Sequence, residues 1–387
     1  MTDGAPAAAR RPPPPIPLTI FTGFLGAGKT TLLNRLLVAP ELADTLVLIN
    51  EFGDVGLDHL FIEKIDGDMV LMSSGCVCCT IRGDLVNTLE DLLRKLDNGR
   101  IKPFRRVVLE TTGLADPAPI LHAIMYHPYL LMRFRLDGVV TVIDAVNGDA
   151  TLDSHEEAVK QAAVADRLVV TKTDLPEGAA RVSALTARLA ALNPGARILM
   201  AAKSEATPAA LLDCGLFDPE TKAPRVKEWL NAESVAAAHD HAHHHRHDDH
   251  DHHHTHDRNR HDAHIRAFCL TGDKAFAPSS FEAFIELLRG THGPRLLRVK
   301  GIVALADDES RPVAIHGVQH VFHPPQRLDA WPDDDHRTRI VFILKDLDES
   351  FIEALYASLV DWPGVGQADA AALTQNPLAP KAGGLLG

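Results

Sequence analysis

Glycines, a lysine and a threonine near the N-terminus have the spacing of a phosphate-binding loop. Residues 23–30 read GFLGAGKT, which fits the pattern G-x-x-x-x-G-K-S/T. A predicted strand, Leu18–Thr22, precedes this segment, and an apolar helical pattern follows it. The backbone amides of such a loop turn toward phosphate oxygens, and the helix N-terminus adds favourable dipole charge. The sequence therefore predicts a nucleotide site in which the loop lines the phosphates through Gly23, Gly26, Ala27, Gly28 and Thr31.

Three side chains have the chemistry that phosphoryl transfer needs. Lys29 is predicted to reach the β- and γ-phosphates, and Thr30 to ligate Mg²⁺. Glu110 ends a predicted strand, Arg106–Glu110, and is our candidate for the carboxylate that acts on the magnesium through a bound water. Gly113 follows, and its amide is placed to sense the γ-phosphate. We therefore predict that Lys29, Thr30 and Glu110 form the catalytic group.

A second motif bears on the choice of base. Thr171, Lys172 and Asp174 follow a predicted strand and resemble the N-K-x-D pattern that reads guanine, with threonine where asparagine is usual. Asp174 would accept two hydrogen bonds from guanine N1 and N2, and Lys172 would lie along the ring. Because adenine lacks that pair of donors, it would leave the carboxylate unpaired. The motif predicts GTP rather than ATP.

Three of the five cysteines, Cys76, Cys78 and Cys79, lie within four positions. Soft thiolates suit Zn²⁺ or Cu⁺, and the N-terminus of the helix predicted to follow lowers thiol pKa values. A structural zinc site has four ligands, whereas the local sequence supplies three, so a fourth must come from elsewhere in the chain, from solvent or from a partner. An incomplete site suits metal transfer better than storage. Two alternatives stay open: buried unreactive cysteines, and a redox pair formed by the C-x-x-C of Cys76 and Cys79.

Histidine is the abnormal residue in this composition. Of 22 histidines, 13 lie in residues 239–264 together with six aspartates and almost nothing apolar, which predicts a disordered linker. Imidazole is the commonest transition-metal ligand, so the segment is predicted to hold several ions at modest affinity. An acidic, solvated linker with incidental histidines is the alternative. The candidate ligands there are His241, His243, His244, His245, His247, His252, His253 and His254.

The elements that must position these residues are read from the apolar pattern. Short apolar runs alternate with helical patterns such as Leu85–Leu96, which predicts an α/β domain with a mostly parallel sheet. After the histidine-rich linker, strands follow strands, which predicts a small α+β domain. The predicted organisation is a disordered tail 1–16, a P-loop domain 17–235, the linker 236–264, a C-terminal domain 265–368 and a flexible tail 369–387. The remaining predicted strands of the first domain are Thr45–Asn50, Asp68–Met72, Gly138–Ile143, Leu168–Thr171 and Arg197–Met200.

Composition excludes several classes of protein. The chain has 387 residues, 45% of them hydrophobic, which is enough to build a core in each of two domains. A net charge of −13 argues against nucleic-acid binding, and no apolar run reaches the length of a membrane span. Met1–Pro17 has no continuous apolar core, so we expect no secretory signal there, and five cysteines are too few for a disulfide scaffold. We expect a cytoplasmic protein.

Taken in order, the motifs resemble those of the CobW-type GTPases, relatives of the urease and hydrogenase nickel-delivery GTPases. They are the phosphate loop, Asn50–Asp54, the segment GCVCC, the segment ETTGLADP that begins at Glu110, and the TKTD that ends at Asp174. The chain from His264 to about Leu359 is similar to the family's C-terminal domain through Lys300-Gly301, His316–Gln319 and Trp331.

The resemblance implies a GTP-hydrolysing metallochaperone that uses Mg²⁺ and carries zinc, or cobalt, to a client metalloprotein. It also implies a nucleotide-responsive switch around Asn50–Asp58, and a part in metal binding for Asp54 and His127. A cobalt-handling GTPase of cobalamin synthesis and a metal store with secondary nucleotide binding remain alternatives. A small-molecule phosphotransferase is disfavoured, because nothing marks an acceptor pocket. Dimerisation is left open.

Overall fold

The computed structural model describes residues 14–52, 69–74, 80–212 and 264–362. Several predicted ligands lie outside the described residues: Asp54, the three clustered cysteines and the histidines of the linker. Residues 1–13 of the predicted N-terminal tail, the predicted C-terminal tail and the boundaries at 235 and 368 lie outside them as well, so these stay predictions. Ile16, the last residue of the predicted N-terminal tail, is instead the first residue of a strand. None of the helices that the structure describes is long and apolar enough to cross a membrane.

The N-terminal part is built on a parallel sheet of seven strands in the order β3-β2-β4-β1-β5-β6-β7, which confirms the predicted class. In the first, second, fourth and fifth strands, alternate residues are buried in two cores on opposite faces of the sheet, which is why these strands read as continuous apolar runs. Along the chain the strands are β1 (Ile16–Thr22), β2 (Thr45–Phe52), β3 (Met69–Ser74), β4 (Arg106–Glu110), β5 (Phe134–Asp144), β6 (Arg167–Thr171) and β7 (Arg197–Met200).

Helices cover both faces of this sheet. One face packs against α2 and α3 through a core that includes Leu18, Leu89 and Leu121. On the opposite face, Phe21 and Val142 pack with the apolar side of α1. The helices are α1 (Lys29–Leu37), α2 (Thr80–Asp97), α3 (Pro117–Tyr126), α4 (Pro128–Arg133), α5 (Gly148–Ser154), α6 (Glu156–Ala163), α7 (Pro176–Leu192) and α8 (Pro208–Leu211), with a 3-10 turn at Pro40–Leu42.

Strand β5 begins four residues earlier than the apolar pattern predicts, at Phe134 rather than Gly138. The pattern is interrupted by Asp137, which is fully buried and accepts a hydrogen bond from the Thr19 hydroxyl at 2.8 Å. Arg106 also binds its carboxylate. The pairing with β1 shifts register at this point. A buried acid with two partners is compatible with a central strand, whereas a hydrophobicity pattern treats it as a break.

The C-terminal part is an antiparallel sheet in the order β11-β10-β9-β13-β8, with β12 paired to β10. Two helices pack on it through an aromatic core of Phe276, Phe284, Phe342 and Tyr356, which confirms the predicted α+β class. Its elements are β8 (Ile265–Gly272), α9 (Pro278–His292), a 3-10 turn at Gly293–Arg295, β9 (Leu296–Val303), β10 (Val313–Val318), β11 (Val321–Phe322), β12 (Gln326–Arg327), β13 (Thr338–Lys345) and α10 (Glu349–Val360).

A buried charge cluster joins the two parts. Asp166, just before β6, receives the guanidinium of Arg298 and, at 2.8 Å, the ammonium of Lys300, both from β9. All three residues are at most 5% exposed. Burial alone would raise the pKa of Asp166, but these two cations hold it well below its usual range. Burial lowers the pKa of Lys300 to about 8, partly offset by Asp166. The cluster fixes the C-terminal sheet against the P-loop part.

Two histidines line the same cluster. The rings of His316 and His323 stack with centroids 4.9 Å apart and planes 5° from parallel. Burial, together with the charge of Arg298, lowers the pKa of His323 to about 3, and burial holds the pKa of His316 well below its usual range. Asp166 opposes both shifts but does not reverse them. Both rings are therefore neutral in the folded protein at neutral pH.

We expect this pair to make the protein sensitive to mild acid. Below about pH 6.5, His316 and His323 bind protons in the unfolded chain but stay neutral in the folded chain. The free energy of unfolding therefore falls as pH falls. Each histidine contributes up to about 1.4 kcal/mol per pH unit. Urea midpoints measured from pH 7 to pH 5 should fall, and should fall less for His323→Phe, which keeps a stacked ring but does not titrate. Equal midpoints at both pH values would contradict this expectation.

Candidate functional site

The loop between β1 and α1 has a backbone that only glycine adopts readily. Gly23, Gly26 and Gly28 have φ values of 136°, 71° and 93°, a region that side chains with a Cβ disfavour. At Gly23 there is no room either, because a Cβ would lie 2.2 Å from the carbonyl oxygen of Val142. Gly28 is the N-cap of α1. The loop therefore wraps around the N-terminus of that helix, where anions bind favourably.

The structure brings Thr30 and Glu110 together. The Thr30 hydroxyl donates to Glu110 Oε1 at 2.7 Å, and Glu110, at the end of β4, is 3% exposed. The Lys29 ammonium donates to the carbonyl oxygens of Gly23 at 2.9 Å and Phe24 at 3.2 Å, so it lies across the first turn of the loop. All three residues lie at the carboxyl edge of the sheet, and their catalytic roles stay predictions.

The segment that follows Glu110 lies directly against the phosphate loop. A Cβ at Gly113 would lie 2.5 Å from the amide nitrogen of Leu25, so the two backbones are in contact. Gln161, a fully buried side chain of α6, donates to the carbonyl oxygens of Gly113 at 3.2 Å and Ala115 at 2.9 Å. Sequence reasoning missed Gln161, because a lone glutamine in a helix gives no signal of its partner.

The same segment also reaches the C-terminal sheet. Asp116 caps α3 by accepting a hydrogen bond from the Ala118 amide at 2.9 Å. Its other carboxylate oxygen accepts from Gln319 Nε2 at 3.1 Å. Gln319 has a left-handed backbone, with φ of 53°, in the turn between β10 and β11. The segment 111–116 is thus in contact with the phosphate loop at one end and with the C-terminal part at the other.

The first residue of the predicted base-reading motif, Thr171, contacts the phosphate loop. The Thr171 hydroxyl donates to the carbonyl oxygen of Ala27 at 2.6 Å, so threonine links the two loops from the position where asparagine is usual. Lys172 has φ of 56° and forms an ion pair with Asp144, its Nζ 2.6 Å from Oδ2. Asp174 is exposed and lies two residues further on. Asp144 was missed, although an acid directly after an apolar strand could have marked it.

His127 caps α4, and its Nε2 lies 3.5 Å from Glu90 Oε1 on α2. Both side chains are about one third exposed. Within the described residues, no group of three or more histidines, cysteines or acids is close enough to hold a metal ion. The metal role of His127 therefore stays a prediction, together with the roles of Asp54, the cysteines and the linker histidines.

Two family models match the chain. The nucleotide-binding domain of CobW/HypB/UreG matches residues 17–200, and the C-terminal domain of the cobalamin synthesis protein cobW matches residues 265–360. These spans agree with the two parts of the structure.

Relatives extend the match over nearly the whole chain. The zinc chaperone YjiA of Escherichia coli is 31% identical over 345 residues, covering 89% of this chain and 99% of that protein. The zinc chaperone CobW of a Sinorhizobium species is 29% identical, and the match covers 89% of this chain and 97% of that protein. The crystal structure of Zn(II)-bound YjiA GTPase from E. coli superposes with a TM-score of 0.62 at 28% identity, covering 89% of this chain and 99% of that one.

Proposed function

The chain belongs to the CobW family within the CobW/HypB/UreG nucleotide-binding proteins, and on that basis we propose that it is a GTP-hydrolysing metallochaperone that carries zinc to client metalloproteins under nucleotide control. One feature of the sheet carries the proposal. Strands β3, β2, β4 and β1 lie side by side and are parallel, so their carboxyl ends share one edge.

We expect that shared edge to bring the nucleotide site and the cysteines near each other. The phosphate loop follows β1, Glu110 ends β4, and Cys76 comes two residues after β3 ends at Ser74. Neighbouring strands are about 4.8 Å apart, so the ends of β1 and β3, three spacings apart, are separated by roughly 14 Å. This spacing of the strand ends supports an interaction between the bound nucleotide and the cargo metal.

GTP hydrolysis is assigned to the residues at the phosphate loop. The loop amides and the Lys29 ammonium bind the phosphates and stabilise the charge that develops on the transferred group. Thr30 and Glu110 fit Mg²⁺, because a hydroxyl and a carboxylate oxygen 2.7 Å apart are the hard donors this ion takes. When bound there, Mg²⁺ would neutralise charge on the β- and γ-phosphates. Asp174 gives the preference for guanine.

The switch implied around Asn50–Asp58 lies mostly outside the described residues and stays a prediction. Within the described residues, we assign nucleotide control to the segment 111–116. It contacts the phosphate loop through Gly113 and the C-terminal sheet through the bond between Asp116 and Gln319. A shift of this segment on hydrolysis would therefore change its contacts with both the phosphate loop and the C-terminal sheet. Switch segments of GTPases respond to loss of the γ-phosphate in this way.

Zinc is the proposed cargo, with Cys76, Cys78 and Cys79 as its ligands and the linker histidines as a lower-affinity reserve. Two nearly full-length relatives carry the name zinc chaperone, which favours zinc over cobalt here. The other candidate is a metal store in which nucleotide is secondary, and it differs in one measurable respect: it needs no link between metal affinity and nucleotide.

We expect zinc affinity to differ between the GDP-bound protein and the protein bound to a non-hydrolysable GTP analogue. A typical coupling of 1–3 kcal/mol corresponds to a shift of roughly 5- to 150-fold, and zinc must shift nucleotide affinity by the same factor. Zinc titrations of the two states with a competing chelator measure it. Cys78→Ser should weaken zinc binding and abolish the shift while leaving GDP affinity unchanged.

Deletion of residues 239–264 is the matched control for this experiment. It should lower the number of zinc ions bound but keep the tightest site and its nucleotide-dependent shift. Equal zinc affinities in both nucleotide states, with the cysteines reduced, would favour the metal store.

A further inference from the structure

Asp144 stands at the carboxyl end of β5, beside the loop that is predicted to read the base. The residue is 7% exposed. Its carboxylate accepts hydrogen bonds from the Val146 amide at 2.7 Å, from Asn147 Nδ2 at 2.9 Å and from Lys172 Nζ at 2.6 Å. Two of these donors lie on the turn after β5, so they fix the carboxylate independently of Lys172.

The carboxylate is ionised at neutral pH. Burial would raise the pKa of Asp144, but the bonds from Lys172, Asn147 and the Val146 amide outweigh it and bring the pKa below its usual value. The pair with Lys172 is therefore a charge-assisted hydrogen bond, the stronger class of such bonds.

The backbone of Lys172 is fixed from the other side. A Cβ at Gly178 would lie 2.0 Å from the carbonyl oxygen of Lys172, so the first turn of α7 packs directly on this peptide. The preceding residue, Thr171, is bound to the phosphate loop through Ala27. With the left-handed backbone of Lys172 held in this way, the freedom that remains belongs to its four-carbon side chain.

We propose that Asp144 is a positioning residue for nucleotide binding, which holds the end of the Lys172 side chain in place so that its methylenes are ready to cover one face of the base. The inference rests on the proposed GTPase function and deepens it. A free lysine would have to give up rotamer freedom when the nucleotide binds, whereas a lysine already held gives up less, and affinity rises. Covering a ring face is insensitive to the groups on the ring edge. Asp144 thus sets affinity, and Asp174 sets selectivity.

The test compares GDP with IDP, whose base lacks the 2-amino group that Asp174 is predicted to bind. Asp144→Asn keeps the size of the side chain and removes its charge. It should weaken GDP and IDP by the same factor, roughly 3- to 10-fold, and raise KM for GTP far more than it lowers kcat. Asp174→Asn should instead change the ratio of GDP to IDP affinity. Asp149→Asn, an acid on α5 that pairs with Arg188, is the matched control and should bind both normally.

A double-mutant cycle shows whether Asp144 acts through Lys172. Lys172→Met removes the same ion pair at its partly exposed partner, so it should weaken GDP binding by the same factor. This variant keeps the test possible if Asp144→Asn does not fold. In the Lys172→Met background, Asp144→Asn should cause no further loss. Additive losses, or normal GDP affinity in Lys172→Met, would overturn the inference. Failure of the unmutated protein to bind GDP would instead overturn the proposed function, and the inference with it.

Discussion

Lys29→Ala is expected to lower GTP turnover by at least ~10²-fold, because removing one group aimed at the developing charge of a transition state has an effect of that size. The side chain already lies across the phosphate loop, with its ammonium 2.9 Å and 3.2 Å from two loop carbonyls. Truncation removes the charge without disturbing the glycines that shape the loop. Release of inorganic phosphate at saturating GTP measures the effect.

Lys203→Ala is the matched control for this prediction, since Lys203 is an exposed lysine of the same part of the chain. Its turnover should equal that of the unmutated protein. If the turnover of Lys29→Ala is within a few-fold of normal, the assignment of GTP hydrolysis to the phosphate loop is wrong.

Asp166→Asn is expected to destabilise the folded protein by about 3–5 kcal/mol, the usual effect of removing one partner from a buried ion pair. The substitution keeps the size of the side chain, so no cavity forms. It leaves the cations of Arg298 and Lys300 facing each other, with side chains only 4% and 6% exposed. Because the cluster joins the two parts of the structure, the urea midpoint should fall and the chain should become susceptible to protease at the junction.

Glu156→Gln provides the contrast for this experiment. Glu156 also joins the two parts, through Lys345, but its side chain is 46% exposed, and exposed pairs contribute about 0–1 kcal/mol. Combining Asp166→Asn with Arg298→Met should recover part of the lost stability, since one of the two buried cations that lose the Asp166 carboxylate is then removed. An unchanged urea midpoint for Asp166→Asn would mean that the cluster does not hold the parts together.

The sequence predicted the local features well. Strands β4 and β7 have the predicted bounds, because buried parallel strands are short apolar runs with polar ends. The phosphate loop could be read directly, since its glycines are required by the backbone angles of that loop. Strand β5 was predicted to begin four residues too late, because the partners of Asp137 lie on other strands and no nearby residue in the sequence indicates them.

The amino-acid sequence alone determined the phosphate loop, the two classes of sheet and the place of each motif at a strand end. Each of these depends on neighbours a few residues away, through backbone angles and the alternation of apolar side chains. Only the tertiary structure decided that Asp144 holds Lys172, that Asp116 meets Gln319, and that Asp166 lies among the cations of β9. These partners are 28, 203 and 132 residues apart in the chain. No local sequence pattern links an acidic residue to a partner so far away in the chain. Their pairing is determined only when the strands and the two parts of the structure pack together.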